Sequence, residues 1–277
     1  MRGFRLRRGL LGLAGLLAAG AANAAELTGQ PMPWELYYQR AVSPIMERVT
    51  SLHNLLLVII TVITLFVLAL LIVCIFRFNS KANPTPSKTT HHTLLEIAWT
   101  TLPVIILVVI AVPSFKLIYY YDRVPDAELT IKATGNQWYW NYEYPDNGAF
   151  SFDSNMLKDA ERKAGQPRLL AVDNPIVIPV NTTVRVLTTA ADVIHAFALP
   201  SAGVKIDAVP GRINETWMRI EEIGTYYGMC SELCGQFHGF MPIQVNVVSK
   251  AEFQAWAKQK QAELGGGERK FAQRSAQ

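Results

Sequence analysis

The stretch Cys230-Ser-Glu-Leu-Cys-Gly-Gln-Phe-His-Gly-Phe-Met241 sets two thiols, a carboxylate, an imidazole and a thioether within twelve residues. Thiolates and a thioether beside imidazole suit copper, zinc or iron–sulfur and suit magnesium or calcium poorly. The surrounding sequence reads as short strands. Runs at 129–134, 137–144, 175–180, 183–189, 215–220, 224–229 and 241–248 are β-rich, and Gly, Pro, Asn or Asp lie between most of them. Many short strands at such spacing predict a sandwich or barrel, with the soft-ligand stretch as one of its loops.

Around this all-β unit, taken as 122–249, the flanks are simpler. Residues 149–168 form a polar insertion, read as loop with a turn of helix. Ser249-Lys-Ala-Glu252 is a capping box that opens a helix to about Leu264. The remainder to Gln277 is read as a frayed tail within a 250–277 terminal segment.

Upstream, residues 55–76 carry no charge over 22 positions, enough at about 1.5 Å per residue to cross a bilayer. A second span is expected over 97–119, ending in Lys116 and the aromatic run Tyr119-Tyr120-Tyr121. Pro103 and Pro113 are expected to kink it. The intervening loop holds Arg77, Lys81 and Lys88 and no acid before Glu96, so it is expected to be cytoplasmic. Both flanks, and the β-unit, then lie outside. A short helix is expected near Pro44, within a 25–121 unit that contains both spans.

Residues 1–24 read as a secretory signal peptide: basic positions Arg2, Arg5, Arg7 and Arg8, an apolar run, then Ala22-Asn23-Ala24. This agrees with the loop-charge topology. All of the formal +4 charge, from 26 basic and 22 acidic residues, comes from those arginines. The remainder is neutral, which removes the compositional case for a nucleic-acid partner.

Of three cysteines, Cys74 lies in the first span as a lipid-facing or packed thiol, leaving Cys230 and Cys234 as a pair. A disulfide between them would ignore the register of His238 and Met241. A structural zinc would take two thiolates and two imidazoles and leave Met241 idle. His195, after a predicted strand, offers a remote imidazole. Two coppers bridged by both sulfurs would use Cys230, Cys234, His195, His238 and Met241, with a backbone carbonyl near Glu232 in reserve.

Several motifs in order then resemble subunit II of the haem–copper cytochrome c oxidases: Gly-Asn-Gln-Trp-Tyr-Trp-Asn-Tyr-Glu-Tyr from Gly135, Phe152-Asp-Ser, Val172-Asp-Asn-Pro, Asp192-Val-Ile-His, Asp207-Ala-Val-Pro-Gly-Arg and the cysteine loop. The resemblance covers roughly residues 54–256. It implies a two-helix hairpin followed by a cupredoxin-like barrel that carries dinuclear copper A, with a bacterial inner membrane as the expected location. The metal ligands would be His195, Cys230, Cys234, His238 and Met241, with the Glu232 carbonyl. The Glu232 carboxylate would share a Mg²⁺ with subunit I.

By the same resemblance, Trp138 would receive electrons from cytochrome c, and Glu96 would stand at a proton-path entrance. A helix-terminal acid favoured by the dipole is the plainer reading of Glu96. On an alternating strand Trp138 and Trp140 would share a face, so alternation does not choose between them. Haem a would lie in subunit I, and subunit III is a further expected partner.

From Asp122 to Ser249 there are 15 acids and 10 bases, which suits a basic cytochrome c. Glu143, Asp146, Asp173 and Asp192 are the candidate docking acids. Asn136 and Asn141 depart from the family's common residues, and no Cys-x-x-Cys-His marks a fused haem domain. A copper-free subunit of a quinol oxidase would lack the five ligand side chains. A copper domain of another reductase, such as nitrous oxide reductase, fits poorly with the two spans and Glu96.

Overall fold

In the computed structural model residues 29–274 are described, so the signal-peptide expectation for 1–24 lies outside the described residues. Two long helices lead into a β-domain. Helix α1 (Pro44–Arg77) is continuous, so the short helix expected at Pro44 and the first span are one element of 34 residues, about 51 Å long. The polar run before Leu55 contains no breaker. Ser43 caps the start, its Oγ accepting from Met46 N at 3.0 Å and donating to Ala202 O at 2.6 Å. Pro44 takes the first-turn position, where its missing N–H costs nothing.

Helix α2 (Thr93–Asp122) is also continuous and contains both prolines. Each helix is long and apolar enough to cross a membrane, and neither apolar window is buried. Only the ends near the β-domain are packed. Ile45 and Met46 are buried, the Tyr121 hydroxyl donates to Lys205 O at 2.8 Å, and Tyr120 meets Trp217 edge-on at 5.4 Å.

The β-domain consists of β1 (Leu129–Asn136), β2 (Tyr139–Tyr144), β3 (Phe150–Ser154), β4 (Ile176–Pro179), β5 (Val184–Ala190), β6 (His195–Leu199), β7 (Val204–Ala208), β8 (Asn214–Met218), β9 (Gly224–Cys230) and β10 (Pro242–Val248). One sheet runs β3-β2-β1-β5-β8 and the other β4-β10-β9-β6-β7. Pairing is antiparallel except for β1 with β5 and β4 with β10. Alternation sets the inner face: on β2, Trp140, Tyr142 and Tyr144 are buried while Tyr139, Asn141 and Glu143 are half-exposed. Each buried aromatic removes about 150–250 Å² from water, an upper bound of about 4–6 kcal/mol apiece.

The terminal helix α3 (Lys250–Arg274) seats Phe253 and Ala257 on the core, with Trp256 edge-on to Tyr144 and Phe150. Its expected capping box forms: Glu252 N donates to Ser249 Oγ and Ser249 N to a Glu252 carboxylate oxygen. The backbone stays helical through glycines 265–267 to Arg274, beyond the end expected near Leu264. Glycine propensity alone argues against that extension.

Three strands depart from expectation. The 149–168 insertion begins with β3, whose buried Phe150, Phe152 and Ser154 alternate with exposed Ser151 and Asp153. Strand β6 is buried at every position, so it carries no alternation to read, and β7 is only five residues long. Residues 137 and 138 lie in the β1–β2 turn rather than on β2. Trp138 and Trp140 are therefore not neighbours on one strand face.

Candidate metal centre

The cysteine loop connects β9 to β10 at one end of the domain, and β6 presents His195 to it. Phe197 on β6 is paired with Cys230, Ser231 N donates to Ala196 O at 3.0 Å, and Cys230 N donates to Met241 O at 3.3 Å. Both ends of the loop are thus tied to strands before its side chains converge.

They converge on two sulfurs. The Sγ atoms of Cys230 and Cys234 lie 3.8 Å apart and both thiols are free. A disulfide needs about 2.05 Å, so the sulfurs are unbonded. His195 Nδ1 is 3.9 Å from Cys230 Sγ, and the Glu232 carbonyl oxygen is 3.3 Å from it. His238 Nδ1 is 3.5 Å and Met241 Sδ 3.6 Å from Cys234 Sγ. Ligating atoms of His195, Cys230 and Cys234 all fall within 4.8 Å of one another.

This donor set fits soft metal ions. A metal–thiolate bond is about 2.3 Å, so an ion can touch both sulfurs if they are less than about 4.6 Å apart. His195 is fully buried, Met241 and both cysteines nearly so, and His238 is half-buried. The two thiols are held differently. Burial raises the Cys230 thiol, but His195 and the backbone of Glu232 and Ala196 bring it down to about 6. Burial and the neighbouring Cys230 charge push Cys234 up. A metal that binds both sulfurs as thiolates must displace the protons they carry.

Asp192 orients the remote imidazole. Its carboxylate can only accept at 2.9 Å from His195 Nε2, so that nitrogen carries a proton and Nδ1, which faces the sulfurs, is the ring atom placed to ligate a metal. Asp192 also accepts from Gln137 N at 2.7 Å and Val193 N at 2.6 Å. Burial would raise its carboxyl, but the bonds from His195 and the two amides hold it below the usual range. On the other side of the ring, a Cβ at Gly135 would sit 2.7–2.9 Å from its atoms. Only glycine lets β1 approach this closely. Gly135→Ala is expected to push the ring from the sulfurs, cost about 1–3 kcal/mol of folding stability, and weaken copper uptake about tenfold or more. Copper titration of wild type and variant, followed by absorption, measures this.

Sequence reasoning missed Gly135 as a site residue and missed the Gln137 side chain, whose Nε2 donates to Cys234 O at 2.8 Å. Both lie in the Gly-Asn-Gln-Trp run, so a signal was present. Trp138 is half-buried, and its Nε1 donates to the same Cys234 carbonyl at 3.2 Å. Its ring meets Phe237 edge-on at 4.9 Å. Trp140 is fully buried behind the site, donating to Met241 O at 3.3 Å and packing on Phe197.

The other expected residues spread out. Glu232 is exposed and opens on a polar cleft of about 930 Å³ lined also by Asp122, Lys205, Asp207, Arg212 and Glu215. Of the docking candidates, Asp192 adjoins the Trp138 turn. Asp173 is nearby: it binds Asn155 N at 2.7 Å, next to Ser154, which pairs with Trp140. Glu143 lies farther along β2, paired with Lys132 at 3.2 Å. Asp146 is at the far end of the β1–β2 hairpin, accepting from Thr130 N at 2.7 Å. Exposed Asp153, not among the candidates, bonds Asn141 at 2.8 Å at the metal end of β3.

Glu96 is about 40 Å of helix rise from the β-domain end of α2. It accepts from His92 N at 3.3 Å, while His92 Nδ1 accepts from Leu95 N at 3.3 Å, so the pair caps the helix reciprocally. The helix-terminal role expected of this acid is present.

Taken together, these features define a two-sheet β-domain with a buried cluster of soft donors, preceded by two helices long and apolar enough to cross a membrane. Comparisons with known proteins place it further. Residues 31–117 match the transmembrane domain of cytochrome c oxidase subunit II, and residues 129–248 match its periplasmic domain. A "Probable cytochrome c oxidase subunit 2" of Rickettsia bellii is 54% identical over 239 residues, covering 86% of this chain and 89% of the relative. The cytochrome c oxidase subunit 2 of Cyanidium caldarium is 45% identical over 243 residues, covering 86% and 95%. The solved periplasmic domain of the Bradyrhizobium japonicum subunit II is 58% identical over 51% of this chain and 99% of its own, with TM-score 0.49. The chain belongs to the cytochrome c oxidase subunit II family, a component of an oxidoreductase complex.

Proposed function

We propose that the chain accepts electrons from cytochrome c at a dinuclear copper A centre. It passes them to haem a in subunit I, where O₂ is reduced to water with proton pumping. The observation that carries this reading is the gathering of two imidazole nitrogens, a thioether and a carbonyl around two unbonded sulfurs 3.8 Å apart. Cys230, Cys234, His195, His238, Met241 and the Glu232 carbonyl would hold the two coppers, which supply a one-electron couple. Burial of the sulfurs excludes water, and Asp192 fixes the His195 tautomer. Trp138 supports the role of entry point, because its half-exposed indole is hydrogen-bonded to the backbone of a ligand cysteine.

The Glu232 side chain, exposed in its polar cleft while its carbonyl faces the sulfur, suits a Mg²⁺ shared with subunit I. Glu96 is assigned to a proton-path entrance at the opposite membrane face, alongside its cap. The proposed division is a signal peptide to 24, a membrane unit over 25–121, the copper domain over 122–249 and a helix with tail over 250–277. Both mature termini and the copper domain would lie outside a bacterial inner membrane, with subunit III as a further neighbour.

Docking would use the metal end of the domain, where exposed Asp192 accepts from the backbone of the Trp138 turn and Phe237 packs on Trp138. Exposed Asp153 and Asp173 lie at and just beyond the end of β3 that pairs with Trp140. Stopped-flow reduction of the copper-loaded chain by a lysine-rich cytochrome c tests the reading. The second-order rate is expected to fall steeply with salt, because these charges are exposed and screened. Asp153→Asn with Asp173→Asn should slow it several-fold at low salt and hardly at all at high salt. No reduction of the centre by cytochrome c at any ionic strength would refute the function.

A further inference from the structure

Two cations at the β-domain end of the membrane helices have no part in the copper chemistry. Arg48 on α1 and Lys116 on α2 line a cleft of about 240 Å³ between the helices, together with Ser51, Leu52, Leu55 and Leu117. Both cations are exposed, whereas the three leucines are half-buried in the seam. Among the described residues neither cation is joined to a carboxylate in an ion pair. The Arg48 guanidinium lies 3.9 Å over the centre of the Tyr120 ring, which fixes it at the mouth of the cleft. Glu47, the acid next in sequence, projects about 100° away around the helix. Asp122 belongs to the separate cleft that holds Glu232.

Depth decides what such a cleft would meet. Arg48 precedes Leu55, where the charge-free stretch of α1 begins, by about 10 Å of helix rise. Lys116 lines the same cleft as Leu52 and Leu55, on the hydrocarbon side of Arg48, and its long stem lets the ammonium reach outward. The two charges therefore bracket the headgroup layer, which is about 5–7 Å thick on each side of the hydrocarbon. The leucines run on below it. Cations flanking spans concentrate on the cytoplasmic side, so two unpaired ones on the β-domain side call for a counter-charge there.

We infer that this cleft binds an anionic phospholipid of the outer leaflet. The phosphodiester sits between Arg48 and Lys116, and the first carbons of one acyl chain lie along Leu52, Leu55 and Leu117. The cleft has room for that part of a lipid and not for a whole one. The inference rests on the proposed topology, in which α1 and α2 span a bilayer with the β-domain outside.

The test uses the full chain in a mild non-ionic detergent, stripped of lipid and read by native mass spectrometry. It is titrated with phosphatidylglycerol, with phosphatidylcholine of the same chains, and with inorganic phosphate. Wild type should retain phosphatidylglycerol in preference to phosphatidylcholine. Arg48→Gln with Lys116→Gln should lower phosphatidylglycerol affinity roughly thirtyfold, and the charge-conserving pair Arg48→Lys with Lys116→Arg should keep most of it. An unchanged copper spectrum in each variant shows that the domain is folded. Equal binding of the two lipids by wild type, or undiminished phosphatidylglycerol binding by the glutamine pair, overturns the proposal. Displacement of the lipid by millimolar inorganic phosphate overturns it too, because the site would then belong to a free anion. A failure of the topology itself would look different: the chain would leave membranes in alkaline carbonate without detergent.

Discussion

Replacing Cys230 with serine is expected to abolish the dinuclear copper signal and stop electron entry from cytochrome c. Serine keeps the size of the side chain but exchanges a soft thiolate for a hydroxyl that stays protonated at neutral pH. Cys230 has the easily ionised thiol of the pair, and His195, the Glu232 carbonyl and Cys234 all lie within 4 Å of its sulfur. Its removal would leave one thiolate where the proposed centre needs two. Copper affinity should fall by more than about 100-fold, beyond the loss typical of a residue that merely supports a ligand. Any copper that remains should behave as a single isolated ion. The fold should survive, because the loop is tied by backbone bonds at Ser231 and Cys230 that the substitution leaves in place. A variant that still oxidised cytochrome c at the wild-type rate would mean that electrons bypass these sulfurs.

The second large effect is expected at Trp138, and it should separate from the first. Trp138→Phe keeps an aromatic ring against Phe237 but deletes the Nε1 donor to the Cys234 carbonyl. No donor atom of the proposed centre is removed, and Gln137 Nε2 still donates to the Cys234 carbonyl, so the copper spectrum should be preserved. Reduction by cytochrome c should slow on the order of 100-fold, equivalent to about 2.7 kcal/mol on the barrier. Trp140→Phe gives the contrast. That residue is fully buried, so its loss should cost stability without a comparable effect on electron entry. An unchanged rate in Trp138→Phe would move the entry point, with the half-buried His238 edge as the next candidate.

The apolar helices and the soft-donor cluster were legible because each is written in local chemistry. A charge-free run of 22 residues has few uses other than a bilayer, and Cys, Cys, His and Met crowded into twelve positions have few uses other than a soft metal. His195 could be named as a remote imidazole of the cluster, but not its company. Gly135 reads as an ordinary strand glycine until the 2.7 Å approach to the imidazole is seen. Asp192 reads as a surface acid suited to docking, yet it is bonded to His195 and to the amide of Gln137, coupling the Trp138 turn to the sulfur cluster. These roles depend on the pairing of distant strands.

Period-2 reasoning failed where burial was uniform or where the chain turned. Strand β6 is buried throughout and offers no alternation. The turn at residues 137 and 138 removed Trp138 from the strand face it was expected to share with Trp140. The acids show the same limit: Asp146 and Asp173 were equally plausible in sequence, and only the hairpin register puts one far from Trp138 and the other near it.

Electron paramagnetic resonance of the copper-loaded chain, with metal and spin both quantified, tests the dinuclear centre most directly. Two coppers bridged by Cys230 and Cys234 and sharing one unpaired electron should give two metal ions per chain and one spin for every two coppers. One copper with one spin per chain, or metal without a delocalised signal, would contradict it.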